Sequence, residues 1–280
     1  MSGMLYLCAT PIGNLGDISP RIIETLNMVD IIAAEDTRNS KKLLNHFEIR
    51  TPLTSYHEYN KYDKAVTLIG KMKEGKNIAL ITDAGTPAIS DPGEVLVRMC
   101  QEEGITVTSL PGPAALIVAL TLSGLPTRRF CFEAFLPTEK KERKLILEDL
   151  VNESRTIIIY EAPHRLKATL KELAETLGDR RITICRELTK KFETVMPTSL
   201  KSAVAYYEEN EPRGEYVLVI EGKDFKEREK EIQLSYEDIS IEDHMAMYEK
   251  QGVDHKEAMK KVAQDRGISK RDVYQYLLEL

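Results

Sequence analysis

From Leu5 onward, short apolar runs alternate with amphipathic stretches, and this alternation restricts the fold more than any other feature of the chain. LYLCAT is followed by a helical pattern over Pro20 to Met28, DIIAAE by one near Asn39 to Phe47, and a strand at Leu53 to Tyr56 by a helix from Tyr62 to Glu74. NIALIT and ITVTSL bracket a further helix over Pro92 to Glu103. Strands that take turns with helices predict parallel pairing in an α/β sheet covered on both faces. Ser19-Pro20 and Asp91-Pro92 each set an N-cap residue before a proline suited to the first helical position. Gly75 and Gly104 stand where helices should stop.

After the small-residue segment PGPAALIVALTLSGLP the pattern restarts, with strands near Arg129 to Phe135, Thr156 to Tyr160, Ile182 to Arg186 and Tyr216 to Glu221. A boundary near Leu122 to Pro126 predicts an N-terminal α/β domain over 1–122 and a second over 123–222. Past Gly222, KDFKEREKEIQLSYEDIS reads as a charged linker; the extension over 223–280 ends in helical patterns at Ile241 to Lys250, His255 to Arg266 and Lys270 to Leu280. Gly267 gives the last pair a helix-turn-helix reading, although most such helical hairpins are simply packing units. A length of 280 residues with 42% apolar and 30% charged side chains suits two domains with cores of their own. With no apolar run of about 18 residues, and no basic region before the short apolar patch of MSGMLYLCATPIGN, the expectation is a cytoplasmic protein that does not engage a membrane.

Cys8, Cys100, Cys131 and Cys185 lie far apart in apolar company, without a CxxC pair, and read as reduced core thiols. The histidines show neither HxxxH nor HxxEH spacing, so no metal site is expected. A net charge of −6 argues against a protein that coats nucleic acid non-specifically, because such binding neutralises many phosphates with Lys and Arg. Local basic clusters remain: Arg128-Arg129 with Lys140-Lys141 and Arg143-Lys144, and Lys256, Lys260, Lys261, Arg266, Lys270 and Arg271 near the C-terminus. With nothing else to indicate a polyanion, each cluster reads first as a solvated helix face.

In open α/β sheets, ligands gather where strand ends lead into helix N-termini. Three such loops here are rich in Gly and Pro: TPIGNLGD, TDAGTPAISDPG and PGPAA. Glycine lets backbone approach a ligand, and proline holds a loop rigid. The first loop offers only Gly13 and Gly16, short of the GxGxxG dinucleotide pattern, and there is no Walker A sequence. What remains is a backbone-lined pocket for a ligand with many hydrogen-bonding groups.

TPIGNLGD, AAEDTR, SYHEYN, TDAGTPAISDPG, LPGPAA, IYEAPHR and RGEYVLVIEG, in this order, resemble the ribosomal RNA small subunit methyltransferase I family of the tetrapyrrole methylase superfamily. The resemblance spans roughly Leu5 to Gly222, and the helical tail is similar to that family's C-terminal extension. It implies two α/β domains with S-adenosylmethionine (AdoMet) in the cleft between them, a homodimer, and methylation of the ribose 2′-oxygen of a cytidine in the decoding region of 16S rRNA, as naked rRNA or small subunit. Placed on this sequence, it puts AdoMet nearest Pro11, Gly13, Asp83, Gly85, Thr86, Pro87, Ile89, Pro111, Gly112 and Ala114, with Tyr160 and Glu161 from the second domain. Alternatives are a methylase of a corrin or siroheme precursor or of diphthamide, and a non-catalytic rRNA-binding module.

Methyl transfer from a sulfonium to a hydroxyl requires alignment, exclusion of water and an acceptor for the hydroxyl proton. Strand-end candidates for this chemistry are Glu35, Asp36 and His57, with Arg38, Glu58, Glu161 and His164 beside them, and the sequence does not choose among them. Asp36 with Arg38 also reads as a local ion pair at a helix start. RNA is expected to be gripped by Arg38, Arg128, Arg129, Lys140, Lys141 and Arg143, helped by Lys260, Lys261, Lys270 and Arg271.

Overall fold

The computed structural model describes residues 2–224 and 233–278. Its first half runs β1 (Leu5–Cys8), α1 (Pro20–Met28), β2 (Ile31–Ala34), α2 (Thr37–His46), β3 (Leu53–Ser55), α3 (Lys61–Lys73), β4 (Ile78–Ile81), α4 (Gly93–Glu102) and β5 (Val107–Leu110). These strands form one wholly parallel sheet in the order β3-β2-β4-β1-β5. The central strand β4, IALI, is buried at every position, as a strand covered on both faces must be.

The helices divide between the two faces. Leu44 of α2 packs with Ile22 and Leu26 of α1 on one, and Leu68 and Met72 of α3 pack with Leu96 and Cys100 of α4 on the other. The adjacent strands β1 and β4 therefore send their following helices to opposite faces. The loops at their carboxyl ends thus lead away to opposite faces, which makes this the topological switch point of the sheet.

Ser19 caps α1 as expected, accepting the amide of Ile22 ahead of Pro20 at the first helical position. Gly75 and Gly104 follow the C-caps of α3 and α4 in left-handed backbone, with φ of 93° and 67°. Asp91 is not the N-cap of α4, which is Pro92. Its carboxylate instead closes the preceding loop, accepting the amides of Ala88 at 3.0 Å and Gly93 at 2.7 Å.

The second half contains α5 (Ala115–Leu122), β6 (Phe130–Phe135), α6 (Lys140–Val151), β7 (Thr156–Glu161), α7 (Pro163–Leu177), β8 (Arg181–Arg186), β9 (Thr194–Ser199), α8 (Leu200–Glu209) and β10 (Tyr216–Ile220). Here the expectation of parallel pairing fails. Only β6 and β7 run parallel, while β10 lies antiparallel between β7 and β8, and β8 pairs antiparallel with β9. The cause is the short link from β8 to β9, which permits a hairpin and no crossover helix. β9 escapes sequence reading because TVMPTS carries Pro197, tolerated here because the strand forms the sheet edge.

Leu116, Ala119 and Leu120 of α5 pack against Ile158, Val217 and Val219 of the second sheet, so this helix, grouped by sequence with the first half, crosses to the second layer. Beyond it α9 (Ile241–Lys250), α10 (His255–Arg266) and α11 (Lys270–Leu278) close on a small core of their own around Met245, Ala258, Val262 and Val273. Of the stretch read as a charged linker, residues 225–232 lie outside the described residues, as do the last two positions of the expected terminal helix. Among the described residues no helix is long and apolar enough to cross a membrane. The four thiols are free, and burial pushes Cys8 and Cys185 up to about 12 and Cys100 and Cys131 up to about 11, which leaves them unreactive.

Candidate active site

The Gly/Pro loops at the ends of β1, β4 and β5 are tied into one frame. Thr10 and Gly85 exchange backbone hydrogen bonds of 2.9 and 3.0 Å across the switch point. The Thr10 hydroxyl donates to the carbonyl of Thr82 at 3.0 Å, and that of Thr86 to the carbonyl of Pro113 at 3.0 Å. Tyr56, buried at the end of β3, donates its hydroxyl to the carbonyl of Pro92 at 2.9 Å. Gly85 can hold its place because its φ is 88°, a region that glycine occupies without a steric penalty.

Between this frame and the carboxyl ends of β6 and β7 lies a cavity of about 510 Å³. Gly85, Thr86, Ile89 and Ala114 face it from the first half, and Phe135, Tyr160, Leu188 and Val217 from the second. The backbone around it is strained in a consistent way. Of six non-glycine residues with left-handed φ among those described, Ala88 and Ser90 flank Ile89, Ala134 precedes Phe135, and Glu187 and Thr189 flank Leu188. Such conformations persist where the surroundings over-determine them, and here they present three apolar side chains to one space. The 187–190 turn is pinned by Lys190, which pairs with Glu187 at 2.9 Å and Glu215 at 2.8 Å.

Within the second half, Tyr160 accepts the amide of Leu116 at the start of α5 at 3.1 Å and packs edge-on against Phe132 and Phe135. The first half reaches the second at its β1 loop. A Cβ on Gly13 would lie 2.4 Å from Cγ of Lys190, so that glycine permits the first loop to touch the second half.

Of the positions expected nearest the ligand, Gly85, Thr86, Ile89, Ala114, Tyr160 and Glu161 line the cavity, and Pro11, Gly13, Asp83, Pro87, Pro111 and Gly112 do not. Asp83 and Pro111 are exposed, while several others of the second group support the frame. Pro11 and Pro87 are buried beneath it, and Gly112 is required by chain packing, since a Cβ there would sit 2.5 Å from that of Ala9. Glu161 borders the cavity but its carboxylate is spent inside the fold: it accepts Thr169 Oγ1 at 2.5 Å and the amide of Ala162 at 2.9 Å, and pairs with Arg165 at 3.5 Å. Sequence reading missed Ile12, Phe135, Leu188, Tyr216 and Val217. RGEYVLVIEG carries Tyr216 and Val217 and signals them; Phe135 and Leu188 carry no local signal, because their left-handed neighbours are not glycines.

The ends of β2, β3 and β4 gather Glu35, Asp36, His57 and Asp83; none of these lines the cavity, and Asp83 precedes the lining residue Ala84. Asp83 accepts the amide of Asp36 at 3.2 Å, and Glu35 accepts the Thr82 hydroxyl at 3.2 Å. Burial, with Asp83 and Asp91 nearby, holds the Glu35 carboxyl above its ordinary range, against the lowering effects of the Thr82 hydrogen bond and of His57. Asp36 is a helix cap, not an ion-pair partner: its carboxylate accepts the amide of Arg38 at 2.7 Å. His57 Nδ1 is buried without a partner, and its Nε2 lies 3.3 Å from Asn60 Nδ2.

The model of the tetrapyrrole (corrin/porphyrin) methylases matches residues 4–204. A ribosomal RNA small subunit methyltransferase I of Synechocystis sp. is 48% identical over 279 residues, 99% of this chain and 98% of its own length. The chain belongs to the ribosomal RNA small subunit methyltransferase I family. Its relative of that name from Bacillus subtilis is 48% identical over 97% of this chain and 93% of its own. A solved diphthine synthase covers 78% of this chain and 90% of its own with a TM-score of 0.60, at 13% identity a likeness of fold alone. Members of the family are AdoMet-dependent.

For a member of this family, the placement of the basic residues matters. Arg38 is exposed in the first turn of α2 at the carboxyl end of the sheet, and Lys140 and Lys141 are exposed where α6 begins, at the cavity end of β6. Arg128 and Arg129 lie at the opposite end of the second sheet, beside Arg155, Arg180 and Arg181, and do not join the site. Arg143 is largely withdrawn from solvent: it pairs with Glu172 at 2.6 Å and donates to Thr169 Oγ1 at 2.8 Å, so its guanidinium is already partnered within the fold. In the helical extension Lys260 pairs with Glu257 at 3.4 Å and Lys261 lies over the Tyr248 ring at 5.2 Å, whereas Lys270 and Arg271 are exposed at the start of α11.

Proposed function

We propose that the chain transfers the methyl group of AdoMet to the ribose 2′-oxygen of a cytidine in the decoding region of 16S rRNA, acting as a homodimer on the small subunit or its rRNA. The observation that carries the reading is 48% identity, over 99% of the chain, to a relative named for ribosomal RNA small subunit methylation.

AdoMet is placed in the cavity at the switch point. The volume of about 510 Å³ suits a ligand of that size. Its apolar walls, Ile89, Phe135 and Leu188, suit a nucleobase and the carbon chain attached to the sulfur. Thr189 Oγ1, buried without a partner, belongs to the turn that carries the lining residue Leu188. The bound cofactor supplies a methyl group on a cationic sulfur. The chain supplies alignment through the rigid 82–93 loop, dryness through the apolar walls, and a proton acceptor.

Glu35 is assigned as that acceptor. Among the carboxylates at the strand ends, Asp36 caps a helix, Asp83 holds the amide of Asp36 and Asp91 closes its own loop, whereas Glu35 is held only by the Thr82 hydroxyl. Glu35 would take the ribose hydroxyl proton as that oxygen bonds to the methyl carbon and the donor's carbon–sulfur bond breaks, its electron pair remaining on sulfur.

Because burial raises the Glu35 pKa, the carboxylate required as base appears only as pH rises above the ordinary value of 4.5. The acid limb of the kcat profile is expected to lie above that value. Glu35→Gln is expected to lower kcat by about 100-fold and remove the limb while AdoMet affinity holds. The same raised pKa makes the protonated form the one the fold favours, so Glu35 contributes stability below that window that is lost as pH rises through it.

The reaction itself is tested with small subunits or rRNA and labelled AdoMet, followed by mapping of the labelled nucleotide. An oligonucleotide with deoxyribose at the target cytidine is expected to bind and accept no methyl, since only the 2′-hydroxyl has been removed. Methylation of that substrate would place the acceptor on the base.

A further inference from the structure

The SYHEYN turn between β3 and α3 contains a pair of aromatic side chains that the methyl-transfer site does not use. Tyr59 is 97% exposed and Tyr62 is 60% exposed, which for large aromatic rings at a strand-end rim requires an explanation. The turn itself is not loose: Asn60 Oδ1 accepts the amide of His57 at 2.8 Å, and Lys61 pairs with Glu58. The rings are thus displayed from a held backbone.

Their position is informative. β2 and β3 are adjacent parallel strands, so α2 and α3 begin side by side at the same end of the sheet and run back along its opposite faces. On the α2 flank, Arg38, Lys41 and Lys42 are exposed and without ion pairs among the described residues. On the α3 flank stand Tyr59 and Tyr62. Between them lie Glu35 and His57, and the His57 ring meets that of Tyr59 edge-on with centroids 6.1 Å apart. A cationic ridge, a central proton acceptor and two exposed aromatic rings, that of Tyr62 with Lys61 Nζ 5.5 Å from its centroid, form a saddle across the edge of the sheet.

We infer that this saddle is the platform for unpaired RNA: bases of a single-stranded segment stack on Tyr59 and Tyr62 while its phosphates lie along Arg38, Lys41 and Lys42. Every base has a π face, so stacking on tyrosine holds single-stranded RNA without demanding a sequence, and spaced cations follow its backbone. A duplex offers no such faces, so the platform selects loops and opened helices. It also brings a splayed ribose to the edge where Glu35 waits. The inference rests on the proposed RNA substrate and deepens it.

The absence of tryptophan from the chain provides a clean test, because Tyr59→Trp introduces its sole indole. Binding of a labelled single-stranded oligocytidylate is measured by anisotropy, KM with small subunits by methyl incorporation, and AdoMet affinity by calorimetry. Tyr59→Ala and Tyr62→Ala are each expected to weaken oligocytidylate binding and raise KM about tenfold, with AdoMet affinity unchanged. Tyr59→Trp is expected to retain affinity, with indole emission quenched as RNA is added. Unchanged RNA affinity in both alanine variants beside an active wild type would overturn the platform, as would an indole that does not respond. Alanine variants that dissociate a dimer and leave RNA affinity intact would assign the rings to a contact between copies and overturn it too. A wild-type protein that binds AdoMet and leaves both small subunits and rRNA unmethylated would overturn the substrate reading first, and the platform with it.

Discussion

Gly85→Val is expected to lower AdoMet affinity about 100-fold, the equivalent of about 3 kcal/mol, while the protein remains folded. At φ of 88° a β-branched side chain is strained, and its Cβ would lie 3.4 Å from Ile12 Cγ2 and 3.6 Å from the Pro113 carbonyl. Relief requires a shift of the loop, and a shift breaks the paired hydrogen bonds with Thr10 that hold the loops of β1 and β4 at the cavity wall. Gly85→Ala should fall between wild type and valine, because it carries the strain of positive φ without the branched methyls. Isothermal titration of AdoMet checks the series. Affinity unchanged in the valine variant would place the cofactor away from the switch point.

Glu161→Ala is expected to act on stability instead of on the cofactor. The carboxylate is 1% exposed and serves Thr169, the amide of Ala162 and the guanidinium of Arg165, which in turn donates to the Leu136 carbonyl. Removing one member of a buried charged pair leaves the other uncompensated, at a cost of about 3 kcal/mol. For a chain of this size that corresponds to a fall of roughly 10 °C in Tm. AdoMet affinity measured well below the lowered Tm should change less than about threefold, a difference under about 1 kcal/mol. A variant with unaltered melting and lost AdoMet affinity would return Glu161 to the ligand.

The parallel first sheet was legible because each of its elements is locally self-declaring. IALI is apolar at every position, Ser19-Pro20 marks a helix start, and Gly75 and Gly104 mark stops. The Gly/Pro loops were legible for the same reason: a left-handed backbone at Gly85 needs a residue type that the sequence displays. In the second half the information was less local. β9 was hidden by Pro197, and the antiparallel pairing of β10 follows from the β8–β9 hairpin, which reverses the chain before α8 returns it between β7 and β8.

What the sequence alone determined was the alternation of elements, the three ligand loops, the motif order of the family and the confinement of positive charge to patches on an acidic chain. Each follows from residue type and spacing. Tertiary structure decided which charged side chains are free to act. Arg143 and Glu161 read from sequence as contacts for RNA and AdoMet, yet folding spends Arg143 on Glu172 and Thr169, and Glu161 on Thr169 and Arg165. It also decided that Ile89, Phe135 and Leu188, from three distant segments, converge on one cavity through left-handed neighbours. The physical reason is that a charge or a ring has no role of its own: burial and partners assign it, and both exist only once the layers have packed.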